Sequence, residues 1–175
     1  KLIKKEGATI SISLDGPKEL NDLMRIFYDG KGSFESILKG INILKKGKIP
    51  FSISCTIGTH NIRYLDKVIN FFKNLGAEGI GFNLLLDSRF KEISYPPNFI
   101  SNKNLLDSFE IAEKEGFLES RIGRKLKSFN SPGKVHFRDC GAYGNQLVFF
   151  PNGDIGVCQG YLGHRKYIVG EVKSS

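Results

Sequence analysis

Apolar and polar positions alternate in two rhythms along this chain, and the rhythms take turns. Ala8 to Leu14 (ATISISL) sets small polar residues against branched ones, the two-residue beat of a strand. Asp15-Gly16-Pro17 then predicts a turn, because Gly accepts backbone angles that other residues resist and Pro fixes its own. Lys18 to Tyr28 is a short polar segment, broken between Gly30 and Gly32. From Ser33 the beat lengthens to that of a helix: Phe34, Ile37, Leu38, Ile41 and Leu44 share one face, with Ser33 as the cap and Gly47 as the stop. Phe51 to Ile57 (FSISCTI) returns to the strand beat. A second helix is expected from Asn61, with Ile62, Leu65, Val68, Ile69, Phe72 and Leu75 inward and Gly76 after it. Gly79 to Leu86 (GIGFNLLL) reads as a third strand whose continuous apolar end predicts burial on both faces.

The order β-α-β-α-β with short links predicts an α/β fold. Strands 8–14, 51–57 and 79–86 are expected to lie parallel and side by side, with helices 33–46 and 61–75 on one face. Such units suit a barrel or a doubly wound sheet, and a whole eightfold barrel takes about 250 residues, so part of a barrel is expected. The outer edge of strand 8–14 is then unpaired, and an unpaired edge predicts self-association. Ligands of α/β proteins sit at the carboxyl ends of parallel strands. Ser13, Asp15 and the loop after them therefore form the candidate active face.

Beyond this the pattern changes. Asp87 to Ile100 fits neither beat, and Pro96-Pro97 excludes a helix there, so a loop at the same face is expected. Asn102 to Glu115 predicts a third helix, with Leu105, Leu106, Phe109 and Ala112 inward and Gly116 closing it. Phe117 to Phe129 predicts another short helix, rich in Arg and Lys. Ser131-Pro132-Gly133 marks a boundary, dividing the chain into 1–130 and 131–175. In the second part Asn145 to Phe150 and Ile155 to Gln159 flank Pro151-Asn152-Gly153-Asp154, which predicts a β-hairpin with Val148, Phe150 and Ile155 burying one face. Tyr167 to Val172 predicts a further short strand.

Composition narrows the class. The 175 residues, 40% of them hydrophobic, suffice for one domain with a core, or for one domain plus a small appendage. No apolar run is long enough to span a membrane and no signal-peptide pattern opens the chain, so a cytoplasmic protein without a membrane partner is expected. The start, KLIKKEG directly before a strand, reads as the tail of a helix, so the chain is expected to be an internal fragment. A net charge of +8 raises the question of nucleic acid. Lys39, Lys45, Lys46 and Lys67 are scattered over helical faces and RNA-module signatures are absent, so no nucleic-acid partner is expected. Three cysteines without a secretion signal argue for a reducing compartment, with core thiols or metal ligands.

Cys55, mid-strand between Ser54 and Thr56, reads as structural. Cys140 precedes the hairpin and Cys158 sits near its end, in a G-x-x-x-x-C spacing from Gly153. Thiolates that converge select zinc or iron–sulfur, but two cannot complete a four-coordinate site. A pair of core cysteines is the other reading of the same spacing.

Three stretches, in order, resemble the radical S-adenosylmethionine (radical SAM) enzymes that carry a SPASM or twitch auxiliary domain. SISLDGP with Arg25 downstream resembles the fourth barrel strand and the segment after it. GSFESILKGINILKKGKIPFSISCTIGTHN resembles the next helix and strand. CGAYGNQLVFFPNGDIGVC resembles the opening of the auxiliary domain and is the most specific of the three. The family's C-x-x-x-C-x-x-C is absent, as is the later C-x-x-C run of a full SPASM domain. The resemblance thus implies the later part of a partial (β/α)6 TIM-like barrel over 1–130 and the start of the auxiliary domain over 131–175. It implies a parent that binds 4Fe–4S clusters and S-adenosylmethionine and abstracts hydrogen from a peptide or protein through a 5′-deoxyadenosyl radical. An electron donor such as a flavodoxin or ferredoxin is implied, as is an inactive fragment, since the ligands of the radical SAM cluster lie elsewhere.

Residue by residue, the resemblance assigns Ser13 to a cofactor contact at a strand end and Arg25 to the cofactor's carboxylate and ribose region. An arginine fork suits a carboxylate. Asn83 to Leu85, with Asn83 and Leu85 as the contacts, falls where the sixth strand packs against the adenosyl group. Cys140 and Cys158 fall on auxiliary-cluster ligands. No catalytic residue is assigned. Anaerobic sulfatase maturases carry an Asp directly after the second of these cysteines as catalytic base. Here Gln159 stands there and cannot take a proton at neutral pH, which points to other peptide modifiers, thioether-forming ones included. Among the histidines, His60 and His164 carry no assignment, and His136 with Asp139 flanks Cys140 as a group behind the ligands or as plain surface. The alternative to the enzyme is a cluster-free α/β binding or scaffold domain whose hairpin cysteines hold zinc or are structural.

Overall fold

The computed structural model describes residues 9–85, 98–129, 146–158 and 165–172. The chain divides into two compact units, Lys1–Asn130 and Ser131–Ser175.

The first unit is α/β. Its elements run β1 (Ile10–Ser13), α1 (Lys18–Asn21), α2 (Phe34–Lys46), β2 (Phe51–Ile57), a 3-10 turn (Ile62–Tyr64), α3 (Leu65–Leu75), β3 (Gly79–Leu84), α4 (Phe99–Lys114), β4 (Leu118–Glu119) and α5 (Ser120–Phe129). The strands form one sheet in the order β1-β2-β3-β4, every neighbouring pair parallel. The three expected strands lie side by side as the alternation requires. β1 ends at Ser13, one residue before the expected Leu14, because Asp15-Gly16-Pro17 turns the chain; Leu14 still gives its amide to Ser54 O at 3.1 Å. Gly16 has φ 141, and a Cβ there would stand 3.2 Å from Leu20 and Val68, so the turn requires glycine twice over.

The beat along β2 divides the sheet. Phe51, Ile53, Cys55 and Ile57 are buried on one side. There they meet Phe34 and Ile41 of α2 and Val68, Ile69 and Phe72 of α3 in one continuous core. Ser52, Ser54 and Thr56 face the other way. Gly76, at φ 86, ends α3 in the left-handed conformation expected of it. The capping of α2 differs from expectation. Ser33 makes no side-chain cap bond, and Asp22 Oδ1 accepts the Phe34 amide at 2.9 Å from twelve residues upstream. Helix α4 begins earlier than Asn102, at Phe99, because Asn98 caps it through the Ser101 amide at 2.9 Å.

The segment read as one helix over 117–129 is a two-residue strand followed by a helix. Leu118 and Glu119 pair with Gly79 and Ile80, adding a fourth parallel strand. The Glu119 carboxylate then accepts the amides of Arg121, Ile122 and Gly123 and caps α5.

In the second unit β5 (Val148–Phe149), β6 (Asp154–Gly156) and β7 (Ile168–Glu171) form an antiparallel sheet in that order. The hairpin turn is closed by Phe150 and Asp154, with Gly153 at φ 88. Ile155 stands opposite Phe149 and shares its face, so it does not join Val148 and Phe150 as expected. Leu86, residues 87–97 of the expected loop, the expected boundary at 131–133, His136, Asp139, Cys140, Gln159 and His164 lie outside the described residues.

Candidate functional site

The polar side of the first sheet is built by register. Ser11 pairs with Ser52 and Ser13 with Ser54; Ser54 pairs with Gly81 and Thr56 with Asn83. Small and hydroxylic side chains therefore stand in rows across three strands. Asn83 Nδ2 donates to Ser54 Oγ at 2.8 Å. Ser13 is exposed, and Leu85, half-buried just past β3, follows Asn83 with the same parity and anchors its amide to Ile57 O at 3.0 Å.

Arg25 reaches this side from the segment after α1. Its Nη2 donates to Thr56 Oγ1 at 3.2 Å and to Asp15 Oδ1 at 3.0 Å. Its Nε stands 2.9 Å from Asp15 Oδ2 as an ion-pair contact, off the line of a good hydrogen bond. The Asp15 side chain is 2% exposed and that of Arg25 28%. A buried carboxylate with a half-reachable guanidinium is a fixed anchor carrying a fork into the site.

Asn61 supports the anchor. It is wholly buried, and its Nδ2 donates to Asp15 O at 3.0 Å and Thr56 O at 2.8 Å, while its Oδ1 accepts the Gly58 amide at 3.1 Å. Asn21, also wholly buried, accepts the Asp15 amide through Oδ1 at 3.2 Å. Ser13, Arg25 and Asn83 are legible in the sequence as site residues; Asn61, Asn21, Ser54 and Thr56 are not. The pattern GTHN after β2 is the one trace of Asn61, since an Asn just past a strand end commonly bonds nearby backbone.

His60 lies beside the anchor. Both of its ring nitrogens are buried and unpartnered. Burial lowers its pKa, with Asp15 opposing and Arg25 reinforcing the shift. It lines a cavity of about 560 Å³ with Leu20, Leu23, Ile62, Asn98 and Ser101. Cys55 is structural, as expected: it is fully buried, and burial first, then Asp15, pushes its thiol well up.

Four of the six site residues read from the sequence are thus on or over one polar surface: Ser13, Arg25, Asn83 and Leu85. Cys158 follows β6 in the second unit and is half-buried; Cys140, its expected companion, lies outside the described residues. Among the described residues no three of His, Cys, Asp and Glu are grouped to hold a metal.

No family model matches the chain. An uncharacterized protein of Methanocaldococcus jannaschii is 33% identical over 105 residues, 60% of this chain and 36% of that protein. A cysteine-type anaerobic sulfatase-maturating enzyme of Clostridium novyi is 34% identical over 87 residues, 50% of this chain and 23% of that protein. The chain thus spans well under half the length of these relatives. In fold it is similar to native anSMEcpe with bound AdoMet, with a TM-score of 0.78 and 23% identity over 99% of this chain and 50% of that one. Native anSMEcpe with bound AdoMet and Kp18Cys peptide gives 0.77, at 22% identity over the same shares. In sequence, over half of its length, the chain is similar to the anaerobic sulfatase-maturating enzymes, and in fold it is similar to an AdoMet-bound structure.

Proposed function

We propose that this chain is the later part of a partial (β/α)6 barrel, over 1–130, and the opening of an auxiliary-cluster segment, over 131–175, in an enzyme that modifies a peptide or protein by hydrogen abstraction. The observation that carries the reading is the Arg25 fork held over Thr56 by buried Asp15, at the carboxyl ends of parallel strands. S-adenosylmethionine, when bound, supplies the hydrogen abstraction. The residues present fit it: Arg25 suits its carboxylate, the exposed hydroxyl of Ser13 and the amide of Asn83 suit its polar edges, and Leu85 offers apolar surface to the adenine. The described residues do not provide the ligands of a 4Fe–4S cluster. Cys140 and Cys158 are proposed as part of the auxiliary ligand set, completed by residues outside this chain. Gln159 departs from the maturases' base, so the proposal is a peptide modifier and goes no further into that subfamily.

The proposal extends to a cytoplasmic setting, a flavodoxin- or ferredoxin-like electron donor and closure of the outer edge of β1, which no strand among the described residues pairs, by a further strand or a second copy.

The test is S-adenosylmethionine binding in the full-length protein. A lost charge-assisted hydrogen bond costs about 1.5–3 kcal/mol, or about ten- to a hundredfold in affinity. Ser13→Ala removes an exposed hydroxyl and leaves the core alone. Arg25→Ala would strand the buried Asp15, so Arg25→Lys, which keeps the charge and loses the fork, is the cleaner partner. Titration calorimetry is expected to register a loss in both variants. Undiminished affinity in both would refute the assignment.

A further inference from the structure

The polar side of the first sheet carries a second guanidinium, and among the described residues no acidic group answers its charge. Gly81 completes the row Ser13–Ser54–Gly81 across β1, β2 and β3. A Cβ at Gly81 would stand 3.1 Å from Arg121 Nε, 3.3 Å from Ser120 Oγ and 3.6 Å from Arg121 Cδ. Glycine inside a strand marks a close approach, and here the approaching group is the stem of Arg121. Its side chain lies across the face that also presents Ser13, Asn83 and the Arg25 fork.

The backbone beneath it is fixed. Glu119 takes the amides of Arg121, Ile122 and Gly123, so these three amides of the first turn of α5 are already met. Among the described residues the ion pairs formed by arginine and lysine include Arg25 with Asp15 but none with Arg121, whose side chain is exposed. One cation of the face is neutralised within the fold, and the other is left over.

We infer that Arg121 binds a carboxylate of the molecule to be modified: an acidic side chain or the C-terminal carboxylate of a peptide. This identification of the ligand rests on the reading of the face as an S-adenosylmethionine site. That cofactor carries an ammonium and a sulfonium against one carboxylate and is net positive. A neutral or basic co-substrate would leave like charges facing each other across a shared surface, whereas an anionic one is drawn in. Gly81 makes the arrangement possible by leaving room for Cδ and Nε of Arg121 beside the strand.

The experiment follows the Gly81 backbone amide by NMR in the full-length protein with S-adenosylmethionine present. Three acetylated tripeptides are titrated: Gly-Glu-Gly amide, Gly-Gln-Gly amide, and Gly-Gly-Gly with a free carboxylate. The Glu peptide, the free-acid peptide or both are expected to shift Gly81 saturably, and which of them does so identifies the source of the carboxylate. Raising salt from about 50 to 300 mM is expected to weaken the response, as an exposed charge contact requires. Arg121→Gln is expected to raise the dissociation constant about tenfold or more, and Arg121→Lys less. Gly81→Ala, read at the Ser54 amide, displaces the guanidinium without removing it and is expected to weaken the same peptides. A Gln peptide that shifts Gly81 as far as the acidic ones would overturn the inference, as would acidic binding undiminished in Arg121→Gln. Cofactor affinity of the unmutated protein is read separately by calorimetry. Its absence beside an intact acidic response would remove the proposed function; the reverse result would remove only the role of Arg121.

Discussion

Thr56 donates its backbone amide to Asp15 Oδ1 at 2.8 Å, so the carboxylate that grips Arg25 is itself pinned to the end of the neighbouring strand. Side-chain and backbone chemistry are joined in one carboxylate: it fixes the register of the β1 exit against β2 and aims the guanidinium. Removing one partner of a fully buried pair costs about 3–5 kcal/mol, and the 28% exposure of Arg25 lets water recover part of that, so Asp15→Ala is expected to lose about 2–3 kcal/mol. Asp15→Asn keeps an acceptor for Thr56 and is expected to lose less. Urea melts of the two variants measure this; equal stability of Asp15→Ala and the parent would dismiss the anchor.

Gly32 is a further point where a side chain has no room. A Cβ there would collide with Asp22 Cγ, in the side chain that caps α2. Gly32→Ala is therefore expected to expel Asp22 and cost about 0.5–2 kcal/mol, the worth of an N-cap. Combined with Asp22→Ala the effects are expected to fall well short of additive, because the same cap is lost once. An additive double-mutant cycle would show that the two residues act separately.

His60 predicts a pH dependence. Burial holds its pKa below the usual 6.5 in the folded chain. The unfolded chain binds the proton first as pH falls, so stability is constant above about 6.5 and declines below it until the folded form also titrates. Urea midpoints between about pH 5 and 7.5 should show this slope, and His60→Leu should flatten it. A slope untouched by that substitution would assign it to other groups.

Glu119 is 1% exposed and accepts amides from Phe82 of β3 as well as from the first turn of α5. Glu119→Ala leaves buried donors unmet, at about 1–3 kcal/mol. Amide exchange is expected to quicken at Phe82 and at residues 121–123 together. Quickening of only one group would mean that strand and helix are not joined through this side chain.

The same residue explains where sequence reading stopped. The long elements are legible because apolar positions repeat at one spacing over three or more turns, as in Phe34 to Leu44 or Leu65 to Leu75. β4 is two residues long and has no period to read. FLESRIGRKL has helical spacing throughout, and only pairing with Gly79 and Ile80 makes Leu118 and Glu119 extended. Asp22 was hidden as a cap for a related reason, since its partner Phe34 is brought near by the hairpin-like bridge of Ile26 with Gly32. In the candidate site, Ser13 is legible from its strand end, and Arg25 and Asn83 only through the resemblance. Asn61 and Thr56 were not, because their value lies in what they touch across strands. Arg121 was not either: its meaning comes from the missing side chain of Gly81, forty residues away in the chain.

The alternation along β2 carries a consequence for how this protein tolerates change. Inward from α2 and α3, Phe51, Ile53, Cys55 and Ile57 are judged by volume: swaps of similar size are absorbed and additions or deletions of a methylene are felt. One residue on in each case, Ser52, Ser54 and Thr56 are judged by what they donate and accept. A saturation scan of this strand should therefore flip its criterion at every step: Thr56→Val, nearly equal in size, is expected to harm function more than Thr56→Ser, while at Ile57 valine is expected to be milder than threonine.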